Sequence, residues 1–136
     1  MDLATSMMVA ASGMRAQSTR MRTIAENIAN ANSTAPNPNA DPYRRKIATM
    51  NASFDRELGA TMVKAGKPVA DTSDFRAQYD PGNPVADAKG YVKLPNVNSL
   101  VEIMDMREAQ SSYEANLNVL DASKTMMSRT IDLLTK

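Results

Sequence analysis

The densest run of ionisable side chains in this sequence is Tyr43-Arg44-Arg45-Lys46. Three adjacent cations can neutralise phosphates along a nucleic-acid backbone, the interaction that dominates non-specific affinity there. Such a surface calls for further basic residues or interleaved aromatics, and only Tyr43 adjoins the cluster. The same residues can anchor a loop or meet a neighbouring subunit, which needs nothing else, and this reading is preferred. The net charge of +1 points the same way. The carboxylates offer less. Asp71, Asp74, Asp80 and Asp87 fall mostly where turns are expected, and Asp caps backbone N–H groups in turns. Their scatter does not reproduce the alternating ligands of a calcium loop. Asp105, Glu108 and Glu114 belong on a helix face. The chain has no His and no Cys, so the commonest metal ligands and nucleophile–base pairs are missing. No dinucleotide fingerprint, phosphate-binding loop or nucleophile elbow occurs, and Ser123-Lys124 lacks the S-x-x-K spacing. No catalytic, cofactor or metal residue is assigned, and the chain is read as a non-enzyme.

The elements that carry these residues are dominated by two seams. Ile103, Met106, Gln110, Tyr113, Leu117, Leu120, Lys124, Met127, Ile131 and Leu134 step three and four in strict alternation. That is a 3.5-residue period over four heptads, the pattern of a helix laid along another helix. Leu3, Met7, Ala10, Met14, Gln17, Met21, Ile24, Ile28 and Ala31 repeat the pattern at the other end. With an insert joining them the two helices should pair antiparallel, with paired residue numbers adding to about 137. Gln17, Gln110 and Lys124 either fix the register within the seam or snorkel at its edge. Gly13 is either incidental or a point of close helix approach. Six aromatics, no Trp and eleven Met suit helices packed along seams better than a thick core.

Between the seams the chain is punctuated. Asn27, Asn30 and Asn32 favour helix termination, and Pro36, Pro38 and Pro42 forbid continuation. Short strands are expected near Ile47–Met50, over Thr61–Ala65, over Phe75–Tyr79 and over Tyr91–Leu94, with a helical turn at 54–59. Asp80-Pro81-Gly82 has the residues of a type II turn, with Gly82 at positive φ. Ser99-Leu100-Val101-Glu102 reads as a capping box, and Asp132 with Lys136 as an ion pair in the last turns. The expected fold is mainly α: residues 1–32 and 99–136 form an antiparallel, coiled-coil-like helical domain, and 33–98 an irregular β-rich insert. Met8, Val9, Leu100, Met104, Val119, Met126 and Leu133 lie off the seams, so each helix needs more than one neighbour. The start of the chain has neither a basic n-region nor a continuous apolar run, so no secretory signal peptide is read there, and no stretch suits a membrane span.

Ala25-Glu26-Asn27-Ile28-Ala29-Asn30-Ala31-Asn32, followed by Tyr43-Arg44-Arg45, resembles the N-terminal signature of bacterial flagellar rod and hook proteins. Tyr79-Asp80-Pro81-Gly82-Asn83-Pro84, Ala86-Asp87 and Gly90 to Val97 resemble the proximal-rod members of that family, as does Met106 to Asn116. The resemblance spans essentially the whole chain and departs at 33–42, where Asn and Pro stand in place of Gly. It implies a structural subunit of the basal body, exported through the flagellar type III apparatus without a cleaved signal peptide. Such a subunit assembles helically in the periplasm with copies of itself, with other proximal and distal rod proteins, and against ring or export components. It transmits torque and lines the export channel, and it needs no cofactor, nucleic acid or membrane span. The apolar residues of the two seams, Leu3, Met7, Met14, Met21, Ile24, Ile28, Ile103, Met106, Tyr113, Leu117, Leu120, Met127, Ile131 and Leu134, are taken as the subunit interface. Two alternatives compete. A soluble helical adaptor or export chaperone would partition to soluble extract rather than to basal bodies. A nucleic-acid-binding protein would show salt-dependent binding.

Overall fold

The computed structural model describes residues 2–135. Helix α1 spans Leu3–Ala29 and helix α2 spans Ser99–Leu134, and six short strands lie between them. The strands are β1 (Lys46–Ile47), β2 (Met50–Asp55), β3 (Ala60–Ala65), β4 (Val69–Ala70), β5 (Arg76–Tyr79) and β6 (Tyr91–Leu94). They form three antiparallel two-stranded sheets, β1–β4, β2–β3 and β5–β6. The expected arrangement of two terminal helices around a β-rich insert is the one found. Lys136, and with it the expected Asp132–Lys136 pair, lies outside the described residues.

The chain packs as two units, each holding part of both helices and part of the insert. The first contains residues up to Met21, the segment Thr49–Lys67 and the stretch from Arg107 onward. Small side chains are buried on both of its helices: Ala10, Ser12, Ala16, Ala109 and Ser123. Gly13 is a point of close approach. A Cβ there would sit 2.8 Å from Asn116 Nδ2 and 3.1 Å from its Cγ, so a larger residue must displace the Asn116 side chain. The β2–β3 hairpin rests on another stripe of α1, where the Val63 amide donates to Ser12 Oγ at 3.2 Å. The helical turn expected at 54–59 is not formed. Phe54 and Asp55 end β2, and the Asp55 carboxylate accepts from the Glu57 and Leu58 amides at 3.0 and 3.2 Å. An Asp that satisfies two turn amides favours a tight hairpin over a helix.

The second unit contains Arg22–Ala48 and Pro68–Met106. Ile24, Ala31, Ala35, Val92 and Val97 form its core. Helix α1 ends where Asn30 Nδ2 turns back onto the Glu26 carbonyl at 2.8 Å. Arg76 then holds the following loop to the insert, donating to the Ala31 carbonyl at 2.8 Å and the Pro95 carbonyl at 3.0 Å. The β5–β6 connection begins with an Asp80–Asn83 turn closed at 3.1 Å. Positive φ occurs at Gly59 and Gly90 but not at Gly82, so the expected type II geometry is absent. The left-handed residue is Gly90, φ +81°, where a Cβ would also meet the Tyr79 ring at 2.9 Å. The turn before it is held by Asp87, whose carboxylate accepts from the Lys89 amide at 2.8 Å and the Tyr91 amide at 2.9 Å. Those bonds, the Tyr91 one first, hold the Asp87 carboxyl below its ordinary range despite some opposing desolvation.

Candidate assembly surface

The basic cluster is consumed within the second unit. The Arg44 guanidinium stacks 4.2 Å from the Phe75 ring centroid and donates to the Asp71 and Ser73 carbonyls at 3.0 and 3.1 Å. Lys46 pairs with Glu26 and lies 5.7 Å from the Tyr43 ring centroid. Arg45 is the centre. Its Nε donates to Glu102 at 2.6 Å, and its Nη atoms lie 3.4 Å from Asp71 and 3.7 Å from Asp105. Burial works against the Arg45 charge, but the Glu102 hydrogen bond and charge outweigh it and its pKa is raised. Glu102 is completely buried. Its second oxygen accepts from Asn27 Nδ2 at 3.0 Å. Asn27, also buried, uses its whole amide: Nδ2 also reaches the Lys46 carbonyl at 2.8 Å, and Oδ1 accepts from the Lys46 amide at 2.9 Å and the Tyr43 hydroxyl at 2.8 Å. One side chain of α1 thus reads the backbone of the loop and the carboxylate of α2.

This overturns the capping-box reading. The N-cap of α2 is Asn98, whose Oδ1 accepts from the Leu100 amide at 3.1 Å and whose carbonyl accepts from the Glu102 amide at 3.0 Å. Glu102 is released from capping and spent on Arg45. Buried Asn27 and Glu102 were legible only as terminators and caps, because no periodicity marks a polar residue as buried.

The network also corrects the register. Asn27 meets Glu102 in the second unit; in the first, Arg20 pairs with Glu108 at 2.8 Å and Gly13 abuts Asn116. In all three the residue numbers add to 128 or 129. The helices are antiparallel as expected, but offset from the sum of 137 by about eight residues, roughly two turns. The inward positions of α2 are Glu102, Met106, Ala109, Tyr113, Asn116, Leu120, Ser123 and Met127, each buried or half-buried. Met106, Tyr113, Leu120 and Met127 therefore lie on the expected side. Ile103, Gln110, Leu117, Lys124, Ile131 and Leu134 do not: all are exposed, Leu117 at 38 % and Ile131 at 54 %. Close approach at Gly13 and the buried Glu102 select the row Glu102, Ala109, Asn116 and Ser123 over the row Ile103, Gln110, Leu117 and Lys124, while Met106, Tyr113, Leu120 and Met127 stay inward. On α1, Ile24 is buried, and Leu3, Met7, Met14, Met21 and Ile28 are half-buried. Gln17 is half-buried with an Oε1 that has no hydrogen-bond donor.

What remains outward is an apolar surface on α2: Leu100, Met104, Val119, Met126, Leu133 and Leu134 add to the Ile103–Leu117–Ile131 line. With pairing near 128, Leu3 is level with Thr125, and the last two turns of α2 run beyond the first helical residue of α1. Among the described residues there is no group of three potential metal ligands, and no helix is long and apolar enough to cross a membrane.

The chain is similar to known proteins over nearly its whole length. The family described as Flagella basal body rod protein matches residues 7–35, and the C-terminal family of flagellar basal body rod FlgEFG proteins matches residues 88–133. The chain is 52% identical over 126 residues to the flagellar basal-body rod protein FlgC of Agrobacterium fabrum, covering 93% of this chain and 91% of that one. It is 40% identical to the FlgC protein of an Escherichia coli strain, covering 92% of each chain. It is 37% identical to that of Bacillus subtilis, covering 94% and 95%.

Proposed function

Because the chain belongs to the FlgC family of flagellar basal-body rod proteins, we propose that it is the proximal-rod subunit of a periplasmic rod, built into the wall by the outward faces of its two helices. Residues 1–32 and 99–136 form its inner helical layer around the export channel, and residues 33–98 lie outside that layer. The chain reaches the periplasm through the flagellar export apparatus without cleavage. Its partners are copies of itself, the other proximal and distal rod proteins, and components of the rings and export apparatus. Its role is structural, with no reaction to catalyse.

The observation that carries this reading is the division of labour on α2. The side running from Glu102 to Met127 is used up inside the chain, while Ile103, Leu117 and Ile131 stand outward at intervals of two heptads, with Gln110 and Lys124 between them. A regular apolar line on a helix with one side already packed is a surface for further helices. A rod needs heterologous contacts whose rotation does not close into a ring, so both helices must present different faces to different neighbours.

The test compares two substitutions in a strain lacking the native gene. Leu117→Asp changes an outward side chain, so the purified subunit should keep its thermal stability while incorporation into isolated basal bodies and swimming are lost. Ile24→Asp buries an unpaired carboxylate, so both stability and incorporation should fall. Normal swimming of the Leu117→Asp strain rules out the assembly role of this face.

A further inference from the structure

On the rod-subunit reading just given, the structure also assigns which face of α1 receives the outward face of α2. We propose that Leu117, Asp121 and Lys124 of one copy seat over Ala11, Arg15 and Ser18 of a second copy of this chain, antiparallel and one heptad out of step with the pairing inside each copy.

Four exposed charges motivate it. Arg15 and Arg22 stand seven residues apart on α1, and Glu114 and Asp121 seven apart on α2; all four are exposed. Among the described residues none of them has an ion-pair partner within its chain, whereas Arg20, Arg45 and Lys46 all do. Matched heptad spacing of opposite charge is how flanking positions of helix pairs choose partner and register. The surface between these charges is complementary in size. Ala4, Ala11, Ser18 and Ala25 form a line of small residues on α1 at intervals of seven, and Ile103, Gln110, Leu117, Lys124 and Ile131 a line of large ones on α2. Large side chains over small ones is the packing that lets helices approach closely.

The register then follows without adjustment. Subunits that point the same way along a rod bring α1 of one against α2 of the next in antiparallel fashion, as within one chain. Setting Arg15 against Asp121 sets Arg22 against Glu114, because both pairs add to 136. The same setting places Leu117 on Ser18, Lys124 on Ala11, Gln110 on Ala25 and Ile131 on Ala4, all adding to 135. It provides a partner for the part of α2 that runs past α1. The receiving surface is already concave: a groove of about 400 Å³ in the first unit is lined by Ala11, Met14, Arg15, Ser18, Tyr113 and Leu120. Its apolar floor and cationic edge suit a leucine followed one turn later by an aspartate. Against the internal sum of 128–129, the neighbouring copy is displaced by about seven residues, roughly 10 Å along the helix axis.

Because the chain has no cysteine, the contact can be read by cross-linking in the assembled rod. Ser18→Cys and Leu117→Cys chains are co-expressed, basal bodies are purified and oxidised, and adducts are sized without reductant. The expected product is a dimer of two copies that carries one cysteine from each variant. The doubly substituted single chain should not close on itself, since the two positions are roughly 10 Å out of level within it and a disulfide needs Cα atoms within about 7 Å. The second arm reverses charge. Arg15→Glu with Arg22→Glu, and separately Glu114→Arg with Asp121→Arg, should each reduce incorporation at least tenfold, and all four substitutions together should restore it to within about twofold. Normal incorporation of the cysteine chains with no 18–117 adduct, or an adduct with a different rod protein, overturns this pairing and leaves the function intact. A quadruple variant no better than the doubles also overturns it. Absence of the wild-type chain from basal bodies overturns both.

Discussion

The two units hold the same two helices together by opposite means. In the second, Asn27, Arg45 and Glu102 join α1, the loop and α2 through directional, charge-assisted bonds. In the first, Gly13 of α1 abuts Asn116 of α2 and Arg20 pairs with Glu108 at a partly exposed edge, with Ala10, Ala16 and Ala109 among the buried residues of that unit. Buried polar groups tolerate few alternative arrangements, since each unpaired group is costly. Small apolar contacts slide more easily, because many offsets bury similar area. The second unit therefore sets the register, and the first uses that register to present the long apolar side of α2 to neighbours. A subunit of a polymer gains from this division. Its internal pairing must not compete with its external pairing, and a seam made of Ile103, Leu117 and Ile131 would serve both.

The two units differ most at Arg45. Arg45→Ala leaves the Glu102 carboxylate buried with only Asn27 to satisfy it, and removal of one member of a buried pair costs about 3–5 kcal/mol. Thermal unfolding by circular dichroism should show a loss near the lower bound, since the Arg45 side chain is 21% exposed. An alanine at Arg20 removes the corresponding pair of the first unit, where Glu108 is 66% exposed; that change should be within about 1 kcal/mol. Equal losses at the two sites would remove the distinction between the units.

The sequence already contained the helices, the strand over Thr61–Ala65 and the turn-capping role of Asp71 and Asp87. Hydrophobic period and turn chemistry are local signals, and both were readable. The seam was half readable. Met106, Tyr113, Leu120 and Met127 belong to both the apolar heptad and the observed one, while the alternate positions moved by one residue, from Ile103 to Glu102 and from Leu117 to Asn116. Period reports that a helix has a seam; it does not say whether the larger side chains face their own chain or another. Gly13 held the missing information, since a glycine between helices implies small neighbours. Glu102 was masked by a competing local role, for S-x-x-E describes a capping box as well as it describes this helix start. The cation cluster was legible as an anchor, but its carboxylate was not, because Arg45 and Glu102 are far apart in sequence.

Tyr43, in the second unit, contributes a smaller effect that a titration reads. Burial, and then the nearby Glu26 and Glu102 charges, push the Tyr43 hydroxyl from its ordinary 10.0 up to about 12. The folded chain therefore holds this proton more tightly than the unfolded chain. The stabilisation is complete below pH 10 and disappears as pH rises through about 12. The phenolate can no longer donate to Asn27 Oδ1, a bond of 2.8 Å in the neutral form. Stability should fall across that window, and Tyr43→Phe should remove this component while costing about 1 kcal/mol at neutral pH. An unchanged alkaline limb in Tyr43→Phe would dissociate Asn27 from the titration. At the acid end, the Ser73 backbone bond, its hydroxyl and Arg45 hold Asp71 below its ordinary range against opposing desolvation. Its stabilisation is present above the unfolded carboxylate range and is lost as pH falls through the depressed value.

The smallest expected effect tests whether the first unit is held by side chains or by backbone approach. Gly13→Ala gains about 1 kcal/mol of helix propensity. Against this, the new methyl would lie 2.8 Å from Asn116 Nδ2 and must displace it. That amide donates to the Ser112 carbonyl at 3.0 Å, and turning it away forfeits a bond worth about 1 kcal/mol. The two terms nearly cancel, so Gly13→Ala should lie within about 1 kcal/mol of the parent by thermal unfolding. In an Asn116→Ala background the obstruction is gone, and the same substitution should stabilise by about 1 kcal/mol. If Gly13→Ala instead costs several kcal/mol in both backgrounds, the backbones themselves are in contact at this crossing. The first unit would then be as tightly specified as the second, and the seam of small residues, rather than the Asn27–Arg45–Glu102 network, would fix the register.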